Sequence, residues 1–311
     1  MEIKNYQIFA DAAVMSADIE PAISYDYATR LATNLDALRE VLGIQALRSM
    51  SNGTQLKIYA MDIDKKGDQP AEGAVIPLTH ITRKLVRTID LAIKKYRKET
   101  TVDAIQVSGR QNALNATDDK LVNMVQNETL TAFYDALTTG EKIGTAKGGA
   151  TLQAALSSAW AAVRKRFKEF TATPIYFVSV DDVADYLGTA NPVLATTGGM
   201  TYIENFLSLG TVVISPEIPA GFVFATAKEN LAGAYVPTGG EVGTSVGVTA
   251  DVTGLVGIKH YVANDTANVG TLLLSGIKFF AEYEDGIFKA PITAPATPAT
   301  PSASAAQASG K

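Results

Sequence analysis

The stretch GDQPAEGAVIPL, Gly67–Leu78, decides how the rest of the chain is read. It holds Pro70, Pro77, Gly67 and Gly73, yet it also carries Val75, Ile76 and Leu78. A plain hairpin tip is short and polar; this connection is long and partly apolar. It joins two stretches that read as extended chain. Before it, in TQLKIYAMDI (Thr54–Ile63), Leu56, Ile58 and Ala60 alternate with Lys57, Tyr59 and Met61, the period of a half-buried strand. DKKGD then breaks the run with a turn. After it, Ile81–Lys98 spaces Leu85, Ile89 and Ile93 as a helix would, and alternates Ile89, Leu91 and Ile93 as a strand would. Periodicity alone leaves both open. If both flanks are strands, they form a two-stranded arm of marginal stability alone. Apolar side chains on its protruding loop then mark an interface.

The segment after the loop is also the strongest charge feature. Arg83, Lys84, Arg87, Lys94, Lys95, Arg97 and Lys98 stand against one acid, Asp90. Such a run can hold phosphate backbones. With Tyr96 as the only interleaved ring, base stacking is poorly served, and a solvated or intersubunit face, matched by acids such as those of DIDKKGDQPAEG on a neighbour, is the better reading.

Further out, Ser24 reads as the N-cap of a helix carrying Tyr27, Leu31, Leu35, Leu38 and Leu42 on one face and ending at Gly43. It fits an arm lying on another surface, or equally a helix on its own core. Thr117 reads as the cap of a long helix, with Asp118 and Asp119 in its first turn and Leu121, Val122, Val125, Phe133, Tyr134 and Leu137 after them. After a helix–helix connection, TTGEKIGTAKGG, Thr151 caps a helix bearing Leu152, Ala155, Leu156, Ala159, Trp160, Val163 and Phe167. Strands are expected at PIYFVSV (Pro174–Val180), TVVIS, GFVFATA, GIKHYVA and IKFFAEY, with a short helix capped by Asp181 before Gly188. The end, APITAPATPATPSASAAQASGK, is too poor in large apolar residues to order itself, and disorder is expected from Pro291.

Composition excludes several classes. The 311 residues are 47% apolar and 19% charged, with net charge −5 and no cysteine; mean hydropathy is +0.09. No global basic field draws the chain to polyanions, no disulfide framework or thiolate metal site exists, and no segment reaches the roughly 20 apolar residues of a membrane span. The chain reads as a protein of cytosol-like solvent, without cofactor. His80 and His260 are the only histidines, so one chain lacks a multi-histidine metal site.

Three motifs fail on their context. GTSVG (Gly243–Gly247), with Asp251 and His260 after it, has the order of a hydrolase triad around Ser245, but a nucleophile elbow needs a strand before the serine and a helix after it. Its flanks read as turn and strand, so a Gly-rich surface loop is expected. GEKIGTAKGGAT has Gly140 and Gly144 one residue too close for a phosphate loop. DIDKKGDQPAEG places Lys66 at a calcium-ligand position and Gly73 where the bidentate glutamate belongs.

The order of elements resembles the major capsid protein of tailed bacteriophages, with the HK97 fold. Arm helix, strand, the acidic passage ending in IPL, the basic return through HITRKLVRTIDLAIKKYRKETTVDAIQ, and a long capped helix from Thr117 all match, most specifically over Thr54–Leu137. The resemblance implies an α+β chain: an N-terminal arm (1–50), an extended β-hairpin loop (51–100), a peripheral domain with the spine helix (101–142 and 258–290), a mixed α/β axial domain (143–257) and a disordered tail (291–311). It makes Ile81–Lys98 a strand, and the loop a strap on the next subunit. Contact candidates are Glu72, Val75, Ile76, Leu78, Arg83, Lys84 and Arg87. It also implies self-assembly into hexamers and pentamers around double-stranded DNA, a separate scaffolding protein, a portal and decoration proteins. The alternatives are an encapsulin-like compartment, which shares the fold, and a serine hydrolase using Ser245.

Overall fold

The computed structural model describes residues 16–44, 47–64, 78–168, 171–188, 193–197, 200–263 and 268–293. Helix α1 (Ser16–Leu42) comes first. It begins well before Ser24, which therefore does not cap it. Glu20-Pro21 reads as a break because proline removes a backbone donor and restricts the residue before it, but one lost bond does not end a helix of 27 residues. Gly43 does end it: at φ +73° it turns the chain, and its amide and that of Ile44 reach back to the carbonyls of Glu40 and Arg39. Ala28, Leu31, Leu35, Leu38 and Leu42 are all fully buried against this chain's own core. Of the two readings of this helix, the self-packed one holds for these residues.

Strands β1 (Leu47–Ser49), β2 (Gln55–Asp64), β3 (His80–Asp90) and β4 (Lys94–Thr100) come next. Ile81–Lys98 is thus strand, interrupted at 91–93. The extended return is shorter than KKYRKETTVDAI suggests. Thr101 caps a further helix, α2 (Val102–Ser108), by accepting from the Ala104 amide. Gly109, at φ +77°, closes α2 and opens α3 (Arg110–Thr138). At 29 residues, α3 is about 43 Å long. It starts ahead of Thr117, whose hydroxyl donates to the Leu114 carbonyl inside the helix; the cap position is held by Gly109.

The connection after α3 is not plain loop, for it holds β5 (Gly144–Thr145). Helix α4 (Leu152–Arg166) is capped by Thr151 as expected, through the Ala154 amide. Next come β6 (Pro174–Ser179) and α5 (Val180–Leu187), capped by Ser179 rather than Asp181. Strands β7 (Ala195–Thr197), β8 (Met200–Phe206), β9 (Gly210–Ser215), β10 (Phe222–Ala227) and β11 (Leu231–Tyr235) precede α6 (Gly240–Val246). The chain then forms β12 (Thr249–Ala250), β13 (Val256–Ala263), β14 (Asn268–Ser275), β15 (Ile277–Ala281) and β16 (Phe288–Pro291).

Among the described residues the strands form four sheets. The largest runs β5-β16-β10-β6-β9-β8-β7. Its central strand β6 is buried throughout, and alternate residues serve opposite cores. Ile175 and Phe177 join the cluster of α1 and α3, whereas Tyr176 and Val178 join that of α4. Burial on both faces is why PIYFVS is a continuous apolar run. A four-stranded sheet, β12-β13-β14-β4, packs against α1, and α3 ties to it through polar side chains. A three-stranded one, β1-β11-β15, has Leu231, Ile277 and Phe279 in the main core and Ala232, Ala234 and Phe280 on its other face. The fourth is the hairpin β2-β3.

The chain stays ordered past Pro291. Ile292 donates to the Gly221 carbonyl and Thr293 to that of Gly149, so the expected tail boundary is too early. Backbone pairing needs no large side chain, and composition is blind to it. Residues 294–311 lie outside the described residues.

Candidate functional site

The hairpin β2-β3 changes sides halfway along. Near its base Leu56 pairs with Ile89 and Ile58 with Arg87; past that point Tyr59 pairs with Leu85, leaving Val86 as a bulge. Directly paired residues share a face, and side chains alternate along each strand. Ile58 and Ile89 therefore point one way, and pack with Leu91 on Ala232, Ala234, Val236 and Phe280. Beyond the bulge the apolar pairs point the other way: Tyr59 with Leu85, Met61 with Arg83, Ile63 with Ile81. The opposite side there is polar, with Ala60, Asp62 and Asp64 paired to Lys84, Thr82 and His80.

Among the described residues the distal apolar face stands largely open. Met61 is 67% exposed, Ile63 60%, Ile81 59% and Leu85 48%. The Arg83 guanidinium lies 3.8 Å from the Tyr59 ring centre, extending this face as a flat cation–π surface. The ribbon is fixed at the bulge. The Tyr283 hydroxyl donates to the Tyr59 carbonyl (3.3 Å), and Arg87 pairs with Glu284 (3.3 Å) and donates to the Ala281 carbonyl. So Arg87 is an internal tie, Arg83 lies on the apolar face, and Lys84 is on the polar one. Leu78 is 88% exposed. Glu72, Val75 and Ile76 lie outside the described residues.

The basic segment is largely neutralised from within. Lys94 and the Tyr96 hydroxyl bind Glu128, Arg97 binds Glu99, and Lys98 binds Asp118. With Arg87 on Glu284, four of its cations thus have acids on their own chain.

Ser245, Asp251 and His260 are not brought into one site. Ser245 sits on α6, where a loop was expected, and its hydroxyl donates to the Glu241 carbonyl (2.6 Å). Asp251 accepts from the Val256 and Thr253 amides. His80 begins β3 exposed, whereas His260 is buried on β13, with Nε2 2.8 Å from Asp118 Oδ2. Burial pushes the Asp118 carboxyl up, but hydrogen bonds and charge from His260 and Lys98 outweigh it and hold the group below the usual carboxylate range. Among the described residues no cluster of three His, Cys, Asp or Glu could hold a metal ion, and no helix is long and apolar enough to cross a membrane.

Sequence reasoning placed the strands but missed the bulge. Its signal is a phase shift: apolar residues occupy even positions at Leu56 and Ile58, then odd ones at Tyr59, Met61 and Ile63.

No family model matches the chain, and no curated protein matches it. Solved structures do. The cyanophage A-1(L) capsid asymmetric unit is 12% identical, with 94% of this chain and 99% of that one covered and a TM-score of 0.53. The capsid of an empty GTA particle is 11% identical, with 83% and 90% covered and a TM-score of 0.52. For Mycobacterium phage Che8 the values are 14%, 83%, 89% and 0.51. At these identities the likeness is one of fold: this chain has the HK97-like fold of phage capsids.

Proposed function

We propose that the chain is a major capsid protein, a non-enzymatic shell subunit that assembles into hexamers and pentamers of a phage head. One observation carries the reading. On a fold shared with capsid subunits, the distal half of a tethered hairpin presents Tyr59, Met61, Ile63, Ile81 and Leu85 on a face that the other described residues leave largely open. Apolar surface of this kind on a protruding element is stabilised by burial at about 25 cal/mol per Å², and a second copy supplies the cover. Contacts of this head-to-tail type close into rings, and many modest contacts per subunit hold a shell.

On this reading Leu78, Arg83 and Lys84, with Glu72, Val75 and Ile76 of the loop, face a neighbour, while Arg87 holds the hairpin's root. The arm is 1–50 and the extended loop 51–100. The axial domain is 143–257 with β16 added, because that strand lies in its sheet. The peripheral domain keeps 101–142 and the strands from 258 up to β16. The shell encloses double-stranded DNA through weak, non-specific contact, is built with a separate scaffolding protein, portal and decoration proteins, and is assembled in the host cytoplasm before residing in the virion.

Negative-stain microscopy of the purified full chain tests this. Shells, rings or tubes are expected; a protein that stays monomeric at high concentration overturns the proposal. Co-purifying enzyme cargo inside the shells redirects it to a nanocompartment.

A further inference from the structure

Asp118 reaches from α3 into the four-stranded sheet and meets three donors on three adjacent strands. His260 Nε2 on β13 lies 2.8 Å away, the Thr271 hydroxyl on β14 donates at 2.9 Å, and Lys98 Nζ on β4 is at 2.7 Å. His260 pairs with Thr271, and Thr271 with Lys98. The three donors therefore form one straight row across the sheet, on the face turned to α3. Asp118 and His260 are both almost wholly buried.

The neighbouring rows on the same face differ sharply. One is Ile258, Leu273 and Tyr96; the other is Val262, Val269 and Thr100. Rows are about 6.6 Å apart, two residues of strand, and a helix turn is about 5.4 Å. A slip of α3 by one turn would take the Asp118 carboxylate out of reach of its donors, and beside the buried Ile258 and Leu273 its charge would go unpaired. Apolar packing of Phe133 and Tyr134 on Phe177 and Phe279 also favours one position, and the Asp118 node adds a directional requirement to it.

A second tie lies farther along the same helix. Glu128 takes both Lys94 and the Tyr96 hydroxyl. From Asp118 to Glu128 is about 15 Å of helix, and from Lys98 back to Lys94 is about 13 Å of strand. Helix and strand thus run antiparallel with matched spacings, a charge pair at each end. Strand β4 is in turn joined to β3 of the hairpin through residues 91–93 alone.

We propose that Asp118 and Glu128 form a two-point register lock that fixes where α3 sits along β4, and so sets the hairpin's position relative to the long helix. Compared with well-packed apolar residues of similar volume, which stabilise a fold about equally, what it adds is position. The lock deepens the shell-subunit reading and rests on it for one consequence: the angle between hairpin and helix governs the curvature of an assembly made through the hairpin.

The full chain has no cysteine, so paired spin labels can be placed cleanly at Lys120→Cys on α3 and Lys95→Cys on β4, both exposed. The label-to-label distance is measured in three backgrounds: otherwise unsubstituted, Asp118→Leu with Lys98→Met, His260→Leu and Thr271→Val, and Glu128→Ala. One narrow distance is expected in the first. In the second, a further population displaced by about one helical turn is expected, and in the third a clear broadening. Unchanged narrow distances in both variants overturn the lock. If the quadruple variant fails to fold, Glu128→Ala decides, because its partners are half exposed and its removal leaves the core intact. Particle diameters give the second readout: uniform in the unsubstituted protein and spread over several sizes in the variants. Uniform variant particles refute the link to curvature. A protein that forms no particles in any background, yet shows the displaced population, keeps the lock and overturns the shell reading.

Discussion

Ile63 and Ile81 stand directly opposite each other near the far end of the hairpin, each with about three-fifths of its surface open to solvent. Two β-branched side chains paired this way stabilise the ribbon modestly, and their outer surfaces await a cover. Ile81→Asp should leave the subunit soluble and cooperatively folded, because its side chain lies on the face that the described residues leave largely open. It should abolish shells, since an unpaired carboxylate buried at each copy of the contact costs several kcal/mol. Circular dichroism melting and microscopy read the two halves of this expectation; normal shells from the variant would contradict it.

Replacing Gly67–Leu78 by a two-residue Asn-Gly turn tests the loop itself. The root of the hairpin is held by Ile58, Ile89, Arg87 and Tyr283, so folding should survive with the melting temperature within a few degrees. Assembly should fail. A variant that unfolds would place the loop in an ordinary core.

Asp118 predicts an acid-sensitive step. Its folded pKa lies below the ordinary value, near 3.9 for an unfolded aspartate. The stability it contributes is therefore complete above about pH 4 and lost as pH falls through the lower, folded value. Asp118→Ala removes the acceptor that His260, Thr271 and Lys98 share and should destabilise by about 3–5 kcal/mol at neutral pH. The gap to the unsubstituted protein should shrink toward pH 2 in urea titrations. A gap that grows on acidification would mean that the carboxyl is neutral in the fold.

A chain stopped after Thr293 should assemble as the full chain does. One stopped after Ala290 loses the Ile292 and Thr293 amide bonds and the last residue of β16, and should be less stable by about 1–3 kcal/mol. Comparing the two truncations by melting and by particle yield checks the boundary; equal behaviour would show the final pairing to be idle.

Much of this fold is visible in the sequence because its elements are amphipathic on their own. Leu31, Leu35, Leu38 and Leu42 declare a helix face, and Thr151 declares a cap, whatever the rest of the chain does. Starts of helices are less legible. Pro21 and Thr117 carry local signals for a boundary, but the helices run through them, since a long element outweighs one unfavourable position. The node at Asp118 leaves no local signal at all. Its donors come from Lys98, His260 and Thr271, and only strand register makes them neighbours. Asp118 is readable as a dipole partner in a first turn, and it is in fact an interior acceptor. The hairpin's sidedness is legible in the even-to-odd shift at Ile58 and Tyr59, once alternation is carried across that step.

The single extra residue at Val86 gives the length of β3 a parity. Between Leu85 and Ile89, adding or removing one residue would exchange inside for outside over the whole distal ribbon, turning Ile81 and Leu85 toward the side now held by Lys84 and Thr82. Two such changes would cancel. Mutational drift in this strand is thus confined to substitution or to steps of two.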